Sequence, residues 1–75
     1  MIFEKIKKIL CENFDMDDSE IVPEASLMKD LDMDELDFWD LVMDIEDTFS
    51  VEVDDDIDWK KATVGSIVKL IEENI

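Results

Sequence analysis

Arginine and histidine are absent from this chain, and cysteine occurs once. Seven lysines stand against twenty-three carboxylates with no arginine among the cations, which argues against direct nucleic-acid binding, because phosphate contacts need Lys and Arg. A lone Cys11 excludes an intramolecular disulfide framework. Without histidine there is no evident base to activate that thiol, so Cys11 reads as an incidental thiol that lies off the apolar stripe of its helix. The chain shows no signal peptide and no apolar run near the roughly 18 residues of a membrane span, and the expected location is the cytoplasm.

Charge of one sign dominates what is there. The net charge is −16 over 75 residues, and its placement is uneven. Residues 1–14 and 59–75 are each nearly neutral, whereas residues 15–58 carry nineteen Asp and Glu against Lys29 alone. Such a block steers basic protein surfaces toward it in a salt-dependent way, although solubility alone is the plainer explanation of an acidic surface. A chain this short buries only about 60% of the surface its unfolded form exposes. It has no room for a large cleft and works by presenting a surface. Residues 1–75 read as one domain, without repeats, linkers or low-complexity segments.

Apolar periodicity gives the elements. Ile2, Phe3, Ile6, Ile9, Leu10 and Phe14 recur at three- and four-residue spacing and predict an amphipathic helix over 2–14. Residues 15–33 have no period, but Ile21, Val22, Leu27, Leu31 and Met33 predict a loop packed across the helices. Asp34 is a good N-cap with Asp37 three residues on, and a helix to about Phe49 follows. Phe38, Leu41, Val42, Ile45 and Phe49 form its core face. Leu36, Trp39, Asp40, Met43, Asp44 and Asp47 lie elsewhere on the wheel, apolar residues set among carboxylates. Either they are half-buried against a neighbouring segment or they are a partner site. Val51 and Val53 fall in a connection. Asp54, Asp55 and Asp56 open a short helix through Trp59 to Lys61, with acids first and lysines last as the dipole prefers. Thr63 caps a last helix over about 64–75, with apolar positions Val64, Ile67, Val68, Leu70, Ile71 and Ile75. The fold class is all-α: a small bundle of three main helices and one short helix, with a long loop after the first.

The run Asp30-Leu31-Asp32-Met33-Asp34-Glu35-Leu36-Asp37 resembles the D-L-G-x-D-S-L-D segment of acyl carrier proteins. Leu41-Val42-Met43-Asp44-Ile45-Glu46-Asp47 continues the likeness down the second helix. Val22-Pro23-Glu24-Ala25-Ser26-Leu27 is similar to the family's loop, and Lys61 to Val68 to the start of its last helix. The resemblance covers essentially the whole chain. It implies a non-catalytic carrier of fatty-acid or polyketide type biosynthesis, part of lipid metabolism, whose partners are the basic surfaces of carrier-dependent synthases and transferases. It also implies a monomer with neither nucleic acid nor membrane as partner. Asp34, Leu36, Asp37, Trp39, Asp40, Met43, Asp44 and Asp47 are the expected partner-binding residues.

In that family the serine before Leu-Asp receives 4′-phosphopantetheine, whose thiol carries acyl groups as thioesters. A residue in the first turn of a helix is exposed and lies near free backbone N–H groups and the positive dipole end. Here that position is Glu35, whose carboxylate cannot accept the phosphodiester, so no cofactor is expected on this chain. The family's glycine two residues before the Asp is replaced by Asp32. Ser26 and Ser66 lack the helix that should follow, and Ser19 and Ser50 lack the context. Two origins of Glu35 fit: a diverged relative that lost the arm and became an interaction or regulatory module, or an ordinary carrier engineered to block loading. A carboxylate in the first helical turn is itself favourable by roughly 0.3–1 kcal/mol. Phe38 is bulky for a position near where family acyl chains enter the bundle, although ordinary core would explain it equally.

Other classes fare less well. Asp30, Asp32 and Asp34 have the D-x-D-x-D spacing of a calcium loop, but Glu35 stands where glycine is needed and Leu41 where the bidentate glutamate is needed. No dedicated metal site is expected. Weak divalent-cation binding that relieves self-repulsion is. Abundant carboxylates without a cleft do not make an enzyme. An acidic nucleic-acid mimic fits the charge and not the family likeness.

Overall fold

The computed structural model describes residues 2–54 and 56–75. Three α-helices run over Ile2–Asn13 (α1), Glu35–Phe49 (α2) and Val64–Asn74 (α3), and α1 packs against both others. Among the described residues there is no strand; one isolated antiparallel bridge joins Ser26 to Thr63. The architecture is the all-helical one expected.

Each helix buries the stripe its period dictates. Ile6 and Leu10 of α1, Phe38, Leu41, Val42 and Ile45 of α2, and Val64, Ile67 and Ile71 of α3 are all buried in one contiguous core. Phe49, Val68 and the outer members of the α1 stripe are only partly buried against it. Ile75, counted above with the apolar face of the last helix, is instead 70% exposed, because α3 ends at Asn74 and offers it no neighbour.

The long loop is packed. Asp15, in the left-handed region at φ 57°, ends α1, and Leu10 C=O accepts from Phe14 N–H and Met16 N–H. A single 3-10 turn follows at Asp18–Glu20, where the Asp17 carboxylate accepts from Ser19 N–H at 3.2 Å. Ile21, Ala25, Leu27, Leu31 and Met33 then enter the core. Val22 does not: it is 44% exposed, its carbonyl accepting a turn bond from Ala25 N–H. The loop is lashed to the start of α3 by three backbone bonds, Leu27 N–H to Ala62 C=O, Val64 N–H to Ala25 C=O, and Gly65 N–H to Pro23 C=O at 2.8 Å. That last approach is why Gly65 has no side chain: a Cβ there would stand 2.9 Å from the Pro23 carbonyl oxygen.

The short helix expected from residue 54 to Lys61 does not form among the described residues; Asp55 lies outside them. Lys61 N–H bonds Asp58 C=O and Ala62 N–H bonds Trp59 C=O, turn bonds between residues three apart. Asp is a weak helix former, and crowded like charges oppose closing a helical turn. Val53, Ile57 and Trp59 lie half-buried on the core, so this stretch is held by side chains rather than by a ladder.

Candidate functional site

The N-terminus of α2 is built by a capping box. The Asp34 side chain accepts from Asp37 N–H at 2.8 Å, and the Asp37 carboxylate accepts from Asp34 N–H at a long 3.5 Å. Asp34 therefore leaves the helix at extended dihedrals, and Glu35 becomes its first residue, exposed to solvent. Two residues before the cap, Asp32 holds φ 56°, left-handed backbone that glycine adopts without cost and Asp tolerates. A glycine would fit this backbone at least equally well.

From that end α2 presents an exposed stripe. Leu36 is 76% exposed and Met43 61% exposed, with Asp40 and Asp47 also exposed. Spacings of four, three and four residues put these side chains on one face. Asp37, Trp39 and Asp44 flank the stripe and are half-buried. Asp44 is further tied to α1, accepting from Asn13 Nδ2 at 3.0 Å. Trp39 packs edge-on against the fully buried Phe38 ring at 5.0 Å, with Trp59 on the same ring at 6.3 Å. The eight residues singled out on this helix thus divide between an open stripe, a cap and a half-buried flank.

Two serine hydroxyls are committed to local structure. Ser66 Oγ accepts from Thr63 N–H and donates to Thr63 C=O, closing the capping box of α3. Ser26 Oγ accepts from Lys29 N–H within a tight turn. Ser19 lies in the 3-10 turn, and Ser50 ends α2 at φ 55°. Cys11 is half-buried; that burial pushes its thiol up from the ordinary value and the Asp18 carboxylate adds to the effect, so the reactive thiolate is disfavoured.

One arrangement has no signal in the sequence. A pocket of about 330 Å³ opens beside the first turn of α2, where the end of α1 meets the approach to Met33, and Asp15, Glu20 and Asp32 contribute to its wall. Seventeen positions separate Asp15 from Asp32 without any period to connect them; only the packed loop brings them together. Among the described residues, no three of His, Cys, Asp and Glu gather closely enough to hold a metal ion. No described helix is long and apolar enough to cross a membrane.

The described helices form a small bundle that presents the capped, acidic N-terminus of α2 to solvent. Residues 4–71 match the family described as phosphopantetheine attachment site. The acyl carrier protein of Thermotoga maritima is 47% identical over 74 residues, covering 99% of this chain and 91% of that protein. Those of a Picosynechococcus species (42% over 72 residues; 96% and 89% covered) and of Helicobacter pylori strain G27 (40% over 73 residues; 97% and 94% covered) are also similar. The chain belongs to the acyl carrier protein family.

Proposed function

We propose that this chain is a carrier-shaped interaction or regulatory module of fatty-acid or polyketide type biosynthesis, acting in the cytoplasm as a monomer. In this reading it docks on carrier-dependent enzymes without taking the prosthetic arm. The observation that carries the reading is Glu35, the exposed first residue of α2 one position after its N-cap. By family likeness this is the attachment position, and it has no hydroxyl to esterify. The residues present therefore do not fit 4′-phosphopantetheine. The carboxylate instead places a fixed negative charge at the positive end of the helix dipole, partly imitating the phosphate. The packing of Phe38 between Trp39 and Trp59 supports the same reading, since it fills the interior near where family acyl chains enter.

The test is intact mass after incubation with coenzyme A, Mg²⁺ and a broad-specificity phosphopantetheinyl transferase. No mass gain is expected on this chain, and a gain of one arm on Glu35→Ser. Loading of the unchanged chain would overturn the reading, and a silent Glu35→Ser would show that the recognition surface has diverged as well. Docking has its own measurement. Neutralising Asp40 and Asp47 together should slow association with a basic carrier-dependent enzyme by about tenfold at low salt. Asp44→Asn should do less, because that carboxylate is already engaged by Asn13. Unchanged rates for the double variant would count against α2 as the contact surface.

A further inference from the structure

Thioether sulfurs take up oxygen from peroxides according to their exposure, and the methionines of this chain are exposed unequally. Met33 is 3% exposed in the core, and Met16 and Met28 are half-buried. Met43 is 61% exposed, midway along α2 and on the same face as Leu36. Its backbone lies inside the helix, away from both ends, so a larger polar head there leaves the caps undisturbed. The reaction needs no ionised group. A cysteine, by contrast, reacts through its thiolate, which the burial of Cys11 disfavours.

The surroundings of Met43 decide what an added oxygen does. Oxidation turns a flexible apolar side chain into a polar one whose oxygen accepts hydrogen bonds. Of the four positions one helical turn away, Asp40, Glu46 and Asp47 carry carboxylates, which accept and do not donate. Trp39 alone has a donor, and its ring is seated edge-on against Phe38. The oxygen is therefore left to water. A partner covering the stripe must strip that water away, and the apolar contact offered by Leu36 and Met43 loses one of its two members.

We propose that Met43 is a reversible oxidation site and that its sulfoxide weakens docking through α2. The inference rests on the docking function above and adds a redox control to it. The oxidant is a hydroperoxide. The sulfur lone pair attacks the terminal peroxide oxygen, and the O–O bond breaks as the S–O bond forms. The proton of that oxygen passes to the departing one, which leaves as water or an alcohol. Sulfur loses two electrons and the peroxide gains them. Methionine sulfoxide reductases reverse the step, two thiols becoming a disulfide while the oxygen leaves as water.

The test treats the chain with hydrogen peroxide at about pH 6, where thiolate is scarce. It is followed by peptide mass mapping and by binding to an immobilised broad-specificity phosphopantetheinyl transferase. Among the described methionines, Met43 should gain one oxygen before Met16 and Met28, with Met33 spared. Affinity should fall about tenfold as Met43 is converted, the cost of covering an unpaired polar atom. It should return with the pair of reductases that acts on both sulfoxide epimers. Met43→Leu, whatever its own starting affinity, should lose none of it in peroxide, and Cys11→Ser should respond as the unchanged chain does. Earlier oxidation of Met16 or Met28 would overturn the site. Loss of binding by peroxide-treated Met43→Leu, or undiminished binding by the Met43 sulfoxide, would overturn the switch. Peptide mapping needs no partner, so the site is judged by itself. An untreated chain that does not bind the transferase would instead sink the docking reading, and the switch with it.

Discussion

The two long connections of this molecule are both acidic and irregular, yet they enter the core to different depths. Residues 14–34 bury Ile21, Ala25, Leu27, Leu31 and Met33, and they exchange backbone hydrogen bonds with the start of α3. Among the described residues of 50–63, Val51 and Ala62 near the ends are buried, Val53, Ile57 and Trp59 are half-buried, and Val53 N–H reaches the Glu46 carboxylate at 3.0 Å. Acid content does not separate the two. What separates them is the longer run of buried apolar anchors in the first, spaced so that the intervening carboxylates stay at the surface. The acidic loop near α2 is therefore a packed platform, and it is the loop that shapes the pocket.

The strongest way to break this contrast is to remove one anchor from each connection. Leu27→Ala, at a fully buried site, should cost about 2–5 kcal/mol. Ile57→Ala, at a half-buried one, should cost about 1 kcal/mol. Urea unfolding of both variants measures the difference, and equal losses would mean that the second connection is as deeply integrated as the first. A smaller effect tests the lashing itself. Gly65→Ala gains helix propensity but drives a methyl group to 2.9 Å from the Pro23 carbonyl oxygen, so a net loss of about 1–2 kcal/mol is expected. A gain instead would show that the loop yields freely. The smallest effect concerns backbone strain. Asp32→Gly should stabilise the fold by about 0.5 kcal/mol, because glycine occupies φ 56° without a Cβ penalty. Asp58→Gly, at a described position without a positive φ, should destabilise by a similar amount through the entropy of the unfolded chain. Thermal melts at matched ionic strength distinguish the two signs.

The helix ends were legible residue by residue. Asp34 with Asp37, and Thr63 at the head of the last helix, are capping signals confined to four consecutive positions, and both caps stand where expected. The core face of α2 was equally plain, since Phe38, Leu41, Val42 and Ile45 follow the helical period. Legibility failed where a local preference had to compete with something distant. Acids before lysines over residues 54–61 pointed to a helix, but crowded carboxylates and side-chain anchoring left turns at Asp58–Ala62. Val22 and Ile75 are apolar and their spacing assigns them to the interior, yet both lie exposed, because burial depends on what the rest of the fold sets beside them. The split of the acidic side chains of α2 between free stripe and committed flank was also out of reach, because the Asn13–Asp44 bond spans 31 positions.

By itself, the sequence determined the helices, their caps, the acidic block from residue 15 to 58 and the carboxylate at position 35. Each of these depends on residue identity or on bonds closing within three or four residues, which are the same in any fold containing that helix. Only the tertiary structure decided which glycine had to be bare, which acid of α2 would be tied to α1 and where Asp15 meets Asp32. Those outcomes depend on distances between residues far apart in the chain, and packing fixes such distances only once the whole core has closed.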